Sequence, residues 1–171
     1  RTGKDALAAI RRSVELMPYS AEVHYNLGIA LHAGGRLDAA ASSYRRALEI
    51  RPDYADAHNN LGNVLMDLHD LEGALVSYRK ALQFKPDYAA AEYNVGVVLQ
   101  KRDQFDEAIH CYRHAIAMDP GYVAAYNNLG SVLMLQGRLD EALASYQHAL
   151  DLQPDNADAS YNQGVVLERK V

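Results

Sequence analysis

Residues 52–88 read PDYADAHNNLGNVLMDLHDLEGALVSYRKALQFKPDY, a stretch that opens and closes on the same triplet 34 positions apart. Between the two Pro-Asp-Tyr triplets lie two apolar patterns of helical period. Ala57, Leu61, Val64, Leu65 and Leu68 make the first stripe, and Ala74, Tyr78, Ala81 and Leu82 make the second. The spacing predicts helices over about 55–68 and 72–85, separated by a short turn and ended by proline. Proline cannot continue a helix, and it biases its predecessor away from the helical region.

The same interval holds across the chain. The five prolines are Pro18, Pro52, Pro86, Pro120 and Pro154, each 34 residues from the next. A fixed period of this length marks an internal array. With each unit begun at the third residue after proline, full repeats are expected at 21–54, 55–88, 89–122 and 123–156. They are flanked by the second half of a repeat, 1–20, and the first half of another, 157–171, so that 1–171 is one array. Glycine recurs at position 8 (Gly28, Gly62, Gly96, Gly130, Gly164) and leucine at position 11 (Leu31, Leu65, Leu99, Leu133, Leu167). Alanine fills position 20 (Ala6, Ala40, Ala74, Ala108, Ala142), and tyrosine position 24 (Tyr44, Tyr78, Tyr112, Tyr146).

Gly at position 8 is expected to face Ala at position 20 and let the two helices approach, offsetting the cost of about 1 kcal/mol of a helical glycine. Asp38, Asp106 and Asp140 are expected to cap the second helices. Pro-Asp-Tyr is expected to turn the chain and cap the next first helix. His69 and Asp103 replace the glycines Gly35 and Gly137 at position 15, so those two turns are expected to be tighter or differently shaped. No helix pair buries its stripe alone, so stacking is required.

These columns resemble the tetratricopeptide repeat family, over essentially the whole chain. The Leu-Gly pairs Leu27-Gly28, Leu61-Gly62 and Leu129-Gly130 carry the likeness, with the leucines, alanines, tyrosines and prolines above. The resemblance implies an all-α fold, a right-handed α-solenoid or superhelix of antiparallel helix pairs, with first helices lining the concave face. Position 4 departs from the family's bulky residue: it is His24, His58, Glu92, Tyr126 and Ser160.

On that inner face position 6 is Asn26, Asn60, Asn94, Asn128 and Asn162. Asparagine is a mediocre helix former, but its amide both donates and accepts. The ladder is expected either to hold the backbone of an extended peptide or to fix the stacking of neighbouring helices. Position 5 alternates as Tyr25, Asn59, Tyr93, Asn127, Tyr161, and position 9 as Ile29, Asn63, Val97, Ser131, Val165. This period of 68 residues reads either as a striped binding groove or as the trace of a duplicated pair of repeats.

Composition narrows the partners. The formal net charge is −5 with 22 acidic against 17 basic residues, which argues against nucleic acid. No apolar run approaches the roughly 18 residues of a membrane span. Position 2 is Glu22, Asp56, Ala90, Ala124 and Asp158, and position 5 has no base. The lysine–arginine clamp by which relatives hold carboxylates is therefore not expected, and Lys101 and Arg169 are the only inner cations. A neutral or mildly basic protein segment fits better. The lone Cys111 allows no internal disulfide, so an oxidising compartment is neither required nor excluded. No signal peptide is visible, and a cytoplasmic compartment is the expectation. His110 and His114 have metal-compatible spacing but sit on the outer helix face.

No metal, cofactor or catalytic residue is expected, and no phosphate loop or nucleophile elbow is visible. The function expected is a protein-interaction scaffold, not an enzyme. The alternative is the substrate-recruiting arm of a larger O-GlcNAc transferase-type protein, whose arms the asparagine ladder resembles. The chain begins at Arg1, so a longer protein is expected around it. The two half-repeats are complementary, and head-to-tail association of Ala157–Lys170 with Lys4–Met17 of another copy is expected.

Overall fold

The computed structural model describes residue 10 and residues 12–170. Its secondary structure is helical throughout the described residues, in two compact units, Arg1–Pro86 and Asp87–Val171. The first holds α1 (Ala21–Ala33), α2 (Leu37–Ile50), α3 (Ala55–Asp67) and α4 (Leu71–Phe84). The second holds α5 (Ala89–Lys101), α6 (Phe105–Met118), α7 (Val123–Leu135), α8 (Leu139–Leu152) and α9 (Ala157–Arg169). In the first unit α1 pairs with α2 and α3 with α4, and α2 and α3 join the hairpins. The second repeats this with α5–α6 and α7–α8, and α9 packs on α8 and α7.

The core is the set of columns read from the sequence. Ala40, Ala74, Ala108 and Ala142 are 0% exposed, and Tyr44, Tyr78, Tyr112 and Tyr146 are no more than 2% exposed. Val64, Val98, Val132 and Val166 close the first-helix side at 0%. Each such valine contributes roughly 1.5–3 kcal/mol by leaving water.

The glycine at position 8 makes room for the ring of position 24. A Cβ on Gly28, Gly62, Gly96 or Gly130 would lie 2.5–2.7 Å from a ring carbon of Tyr44, Tyr78, Tyr112 or Tyr146. The atoms nearest each such Cβ are ring carbons of the tyrosine at position 24. Alanine ends at Cβ, whereas the ring of position 24 spans the crossing.

The turns inside each hairpin also differ from expectation. Gly35, His69, Asp103 and Gly137 all take the left-handed conformation, with φ of 70°, 62°, 57° and 73°. Each turn makes the same two bonds. Arg36 N–H reaches Leu31 C=O at 2.9 Å and Gly35 N–H reaches His32 C=O at 2.9 Å. Asp70 to Leu65 at 2.8 Å and His69 to Met66 at 3.0 Å repeat them. This is the Schellman closure of a helix. The two substituted turns are neither tighter nor reshaped, because the paired bonds dictate the backbone whatever the side chain. His and Asp tolerate this region better than most residues but less well than Gly. His69→Gly and Asp103→Gly are each expected to raise stability by about 0.5–1 kcal/mol. Urea unfolding checks this, and an unchanged or lower midpoint counts against it.

The same closure moves the caps. Arg36, Gln104 and Arg138 are the N-caps of α2, α6 and α8 and make no side-chain cap bond. Asp38, Asp106 and Asp140 lie inside the first turn, where their charge complements the helix dipole. Among the described residues only Asp70 caps a second helix, accepting from Gly73 N–H at 2.9 Å. Among first helices, Ser20 and Asn156 cap with their side chains, while Tyr54, Tyr88 and Tyr122 occupy the cap without such a bond. At Pro52 the ring of His58 holds the turn instead, Nε2–H donating to the proline carbonyl at 2.9 Å.

Candidate functional site

Each unit presents the residues of positions 5, 6 and 9 along its first helices. In the first unit α1 carries Tyr25, Asn26 and Ile29, and α3 carries Asn59, Asn60 and Asn63. The Tyr25 ring packs on Tyr54 at 4.8 Å and on Tyr44 at 5.9 Å between centroids. The Arg51 guanidinium lies 4.4 Å from the Tyr54 centroid. Asn60 Nδ2 donates to the Tyr25 hydroxyl at 3.1 Å, which joins the two first helices. Beside this pair, Ile29, His32, Ala33, Tyr44 and Asn60 line a hollow of about 310 Å³. Ile29 is 41% exposed, Asn26 is exposed, and His32 Nε2 meets Asp67 at 2.7 Å across the first helices.

The second unit repeats the arrangement. Tyr93 packs on Tyr122 at 4.9 Å and on Tyr112 at 5.7 Å. Asn128 Nδ2 donates to the Tyr93 hydroxyl at 2.9 Å. Asn94 and Val97 on α5, and Asn127, Asn128 and Ser131 on α7, are half-buried. On α9 Asn162 is half-buried and Tyr161 is 73% exposed. Asn127 Nδ2 donates to the capping Asn156 at 3.3 Å, while its Oδ1 is buried and accepts nothing among the described residues. Asn59 departs from the face expected of it: at 5% exposure its short side chain ends inside, where Tyr25 reaches the surface. Of the head-to-tail contact, residues 4–9 and 11 lie outside the described residues.

The 68-residue alternation acquires a packing role within each unit. The core tyrosines need partners for their hydroxyls, and the two kinds of repeat supply them differently. Tyr78 donates to Asn63 Oδ1 at 2.9 Å and Tyr146 to Ser131 Oγ at 3.1 Å, both at position 9. Where position 9 is Val97, Tyr112 donates to Gln100 Oε1 at 2.6 Å and lies 3.5 Å from Asn128 Nδ2. Where it is Ile29, Tyr44 lies against Tyr25 and Asn60, and burial pushes its phenol up to about 12. Position 34 was not singled out from the sequence, yet Tyr54 and Tyr122 floor the site. Their signal was the tyrosine of the turn triplet, present at 54, 88 and 122 and replaced by Asn156.

Outside this face, His114 Nδ1 lies 3.3 Å from Glu92, and no group of three or more metal-ligating side chains gathers among the described residues. No helix among them is long and apolar enough to cross a membrane.

Helix hairpins closed by one turn type, stacked through a repeated Tyr–Asn contact, define an α-solenoid repeat protein. The chain belongs to the tetratricopeptide repeat family. Profiles described as tetratricopeptide repeat match residues 93–157 and 136–171, and profiles described as TPR repeat match 30–69 and 62–103. Among solved structures, MamA is similar at a TM-score of 0.82 and 24% identity, over 91% of this chain and 91% of that one. A MamA from Desulfovibrio magneticus RS-1 follows at 0.80 and 21%, over 91% and 88%. YrrB, described as a TPR protein with an unusual peptide-binding site, is similar at 0.78 and 28%, over 95% and 84%. No curated protein sequence matches the chain.

Proposed function

We propose that the chain is a non-catalytic scaffold that holds an extended segment of a protein partner on its first-helix face. In the first unit the first helices of repeats 21–54 and 55–88 form that face, and those of 89–122 and 123–156 form its counterpart in the second unit. The observation that carries the reading is the hollow beside Tyr25 and Asn60, where exposed Ile29 offers an apolar anchor next to the exposed amide of Asn26. Apolar contact with a few fixed polar groups is what a peptide site needs. The peptide-binding character of YrrB supports the ligand class. In this reading Asn60 orients Tyr25 while Asn26 and Ile29 meet a segment on the first unit, and Asn128 orients Tyr93 while Asn94, Val97 and Asn162 meet one on the second.

The test is Ile29→Glu, with peptides selected on the native chain from a random extended-peptide library. Binding is expected to weaken at least about tenfold, since a desolvated carboxylate replaces an apolar anchor. Helix content should stay the same, because Ile29 is 41% exposed. Equal binding by the variant would overturn the assignment of this face.

A further inference from the structure

The outer side of the first unit carries a second groove, formed by α2 and α4 over α3, of about 480 Å³. Leu48, Leu61, Val76 and Phe84 line it, with Arg45 and Lys80 among its polar lining. That volume is in the range of ligand pockets. Val76 is 48% and Phe84 43% exposed, and Phe84 stacks on His58 at 5.7 Å. Val76 is out of keeping with its column, where the other repeats have Ser42, His110 and Ala144.

The second unit shows what a filled version looks like. Its corresponding groove, between α6 and α8, measures about 260 Å³ and is lined by Arg113, Ile116, Leu129, Glu141 and Ala144. There Arg113 of α6 reaches across to Glu141 of α8 at 2.9 Å. Arg138 also holds Glu141, at 2.7 Å, and keeps its carboxyl below the ordinary range. In the first unit the residue at the place of Arg113 is Arg45, and the residue at the place of Glu141 is Gly73. Among the described residues no carboxylate therefore stands opposite Arg45. The one acid lining the groove, Glu49, is paired with Arg46 at 2.7 Å. An open apolar floor and an unmatched guanidinium occur together, at the place where the other unit has a bridge.

We propose that this groove binds a protein segment in which a carboxylate side chain adjoins one or two large apolar side chains. The carboxylate takes the place of Glu141 and pairs with Arg45, and the apolar side chains lie on Leu48, Leu61 and Val76. This site is on the other side of the repeat from the first-helix face and does not depend on it.

The experiment uses the whole chain with labelled methyl groups and two capped peptides, Glu-Leu-Phe and Lys-Leu-Phe, at low salt. The Glu peptide is expected to shift the methyl resonances of Leu48, Leu61 and Val76 and to bind about fivefold to tenfold more tightly than the Lys peptide. Arg45 is exposed, so Arg45→Glu should fold normally and reverse the preference. Ile29→Glu should leave both affinities unchanged, which separates this groove from the first-helix face. The proposal is overturned by equal affinities, by a preference that survives Arg45→Glu, or by the absence of shifts at the three named residues. Occupation by a second copy, seen as a molecular mass that rises with concentration and falls in Arg45→Glu, also overturns it.

Discussion

Gly62→Ala is expected to destabilise the protein by about 2 kcal/mol, although the same change in an ordinary helix stabilises by about 1 kcal/mol. The new Cβ would lie 2.5 Å from a ring carbon of Tyr78. That ring is 2% exposed, and its hydroxyl is tied to Asn63 at 2.9 Å. It cannot move without breaking a buried hydrogen bond or opening the hairpin, and overpacking of this kind costs about 1–3 kcal/mol. Gly164 supplies the control, since a Cβ there meets nothing within 4 Å. Gly164→Ala should therefore raise stability by up to about 1 kcal/mol. Denaturant unfolding of both variants decides the matter. Equal and favourable effects at the two sites would mean that the tyrosine ring does not set the glycine column.

The second large effect is with pH. Burial holds the phenols of Tyr44 and Tyr122 at about 12, against an ordinary value of 10.0, and pushes Tyr78 and Tyr112 up further. A phenol raised in the folded state binds its proton more tightly there than in the unfolded chain. Below pH 10 both states are neutral and the stability is whole. Between pH 10 and about 12 the unfolded chain ionises first, and stability falls. At about 1.4 kcal/mol per unit, Tyr44, which is 1% exposed, accounts for a loss of up to about 3 kcal/mol. With four such rings, cooperative alkaline unfolding is expected above pH 10. Tyrosinate absorbance and the helical circular dichroism signal should change as one transition. Core phenols that ionise while the helices persist would disprove the coupling. Tyr44→Phe should shift that transition to higher pH.

The helix pairs were legible because proline and the apolar stripes recur with a fixed period, so each repeat restates the others. What a single column touches was not legible. Gly28 and Ala40 are both small, and smallness says that helices approach but not which large side chain spans the approach. Only the crossing geometry shows that Tyr44 reaches the glycine. The caps failed for a related reason. Asp38 has the right chemistry, but the helix start is fixed by the closure of the preceding helix, which makes Arg36 the cap. His69 and Asp103 were misread because composition suggested a changed turn where two backbone bonds dictate the same one. At the candidate site the asparagine and tyrosine columns were visible from spacing. Their mutual contact was not, because Asn60 meets Tyr25 from a neighbouring repeat 35 residues away. The outer groove depends on one missing side chain, Gly73 where the other unit has Glu141, and a single departure carries no period.

The turn inside each hairpin has a consequence for how such a chain can change length. Arg36 closes α1 through its N–H to Leu31 and is also the N-cap of α2, so only Gly34, Gly35 and Arg36 lie between the two helices. An extra residue at 35–36 has no slack to absorb it. It would break the Arg36–Leu31 closure and move Tyr44 away from Gly28. The turns at Pro52 and Pro120 carry no such shared residue. Growth or grafting by insertion is accommodated between hairpins and resisted within them, so the hairpin, not the single helix, is the indivisible piece of the array.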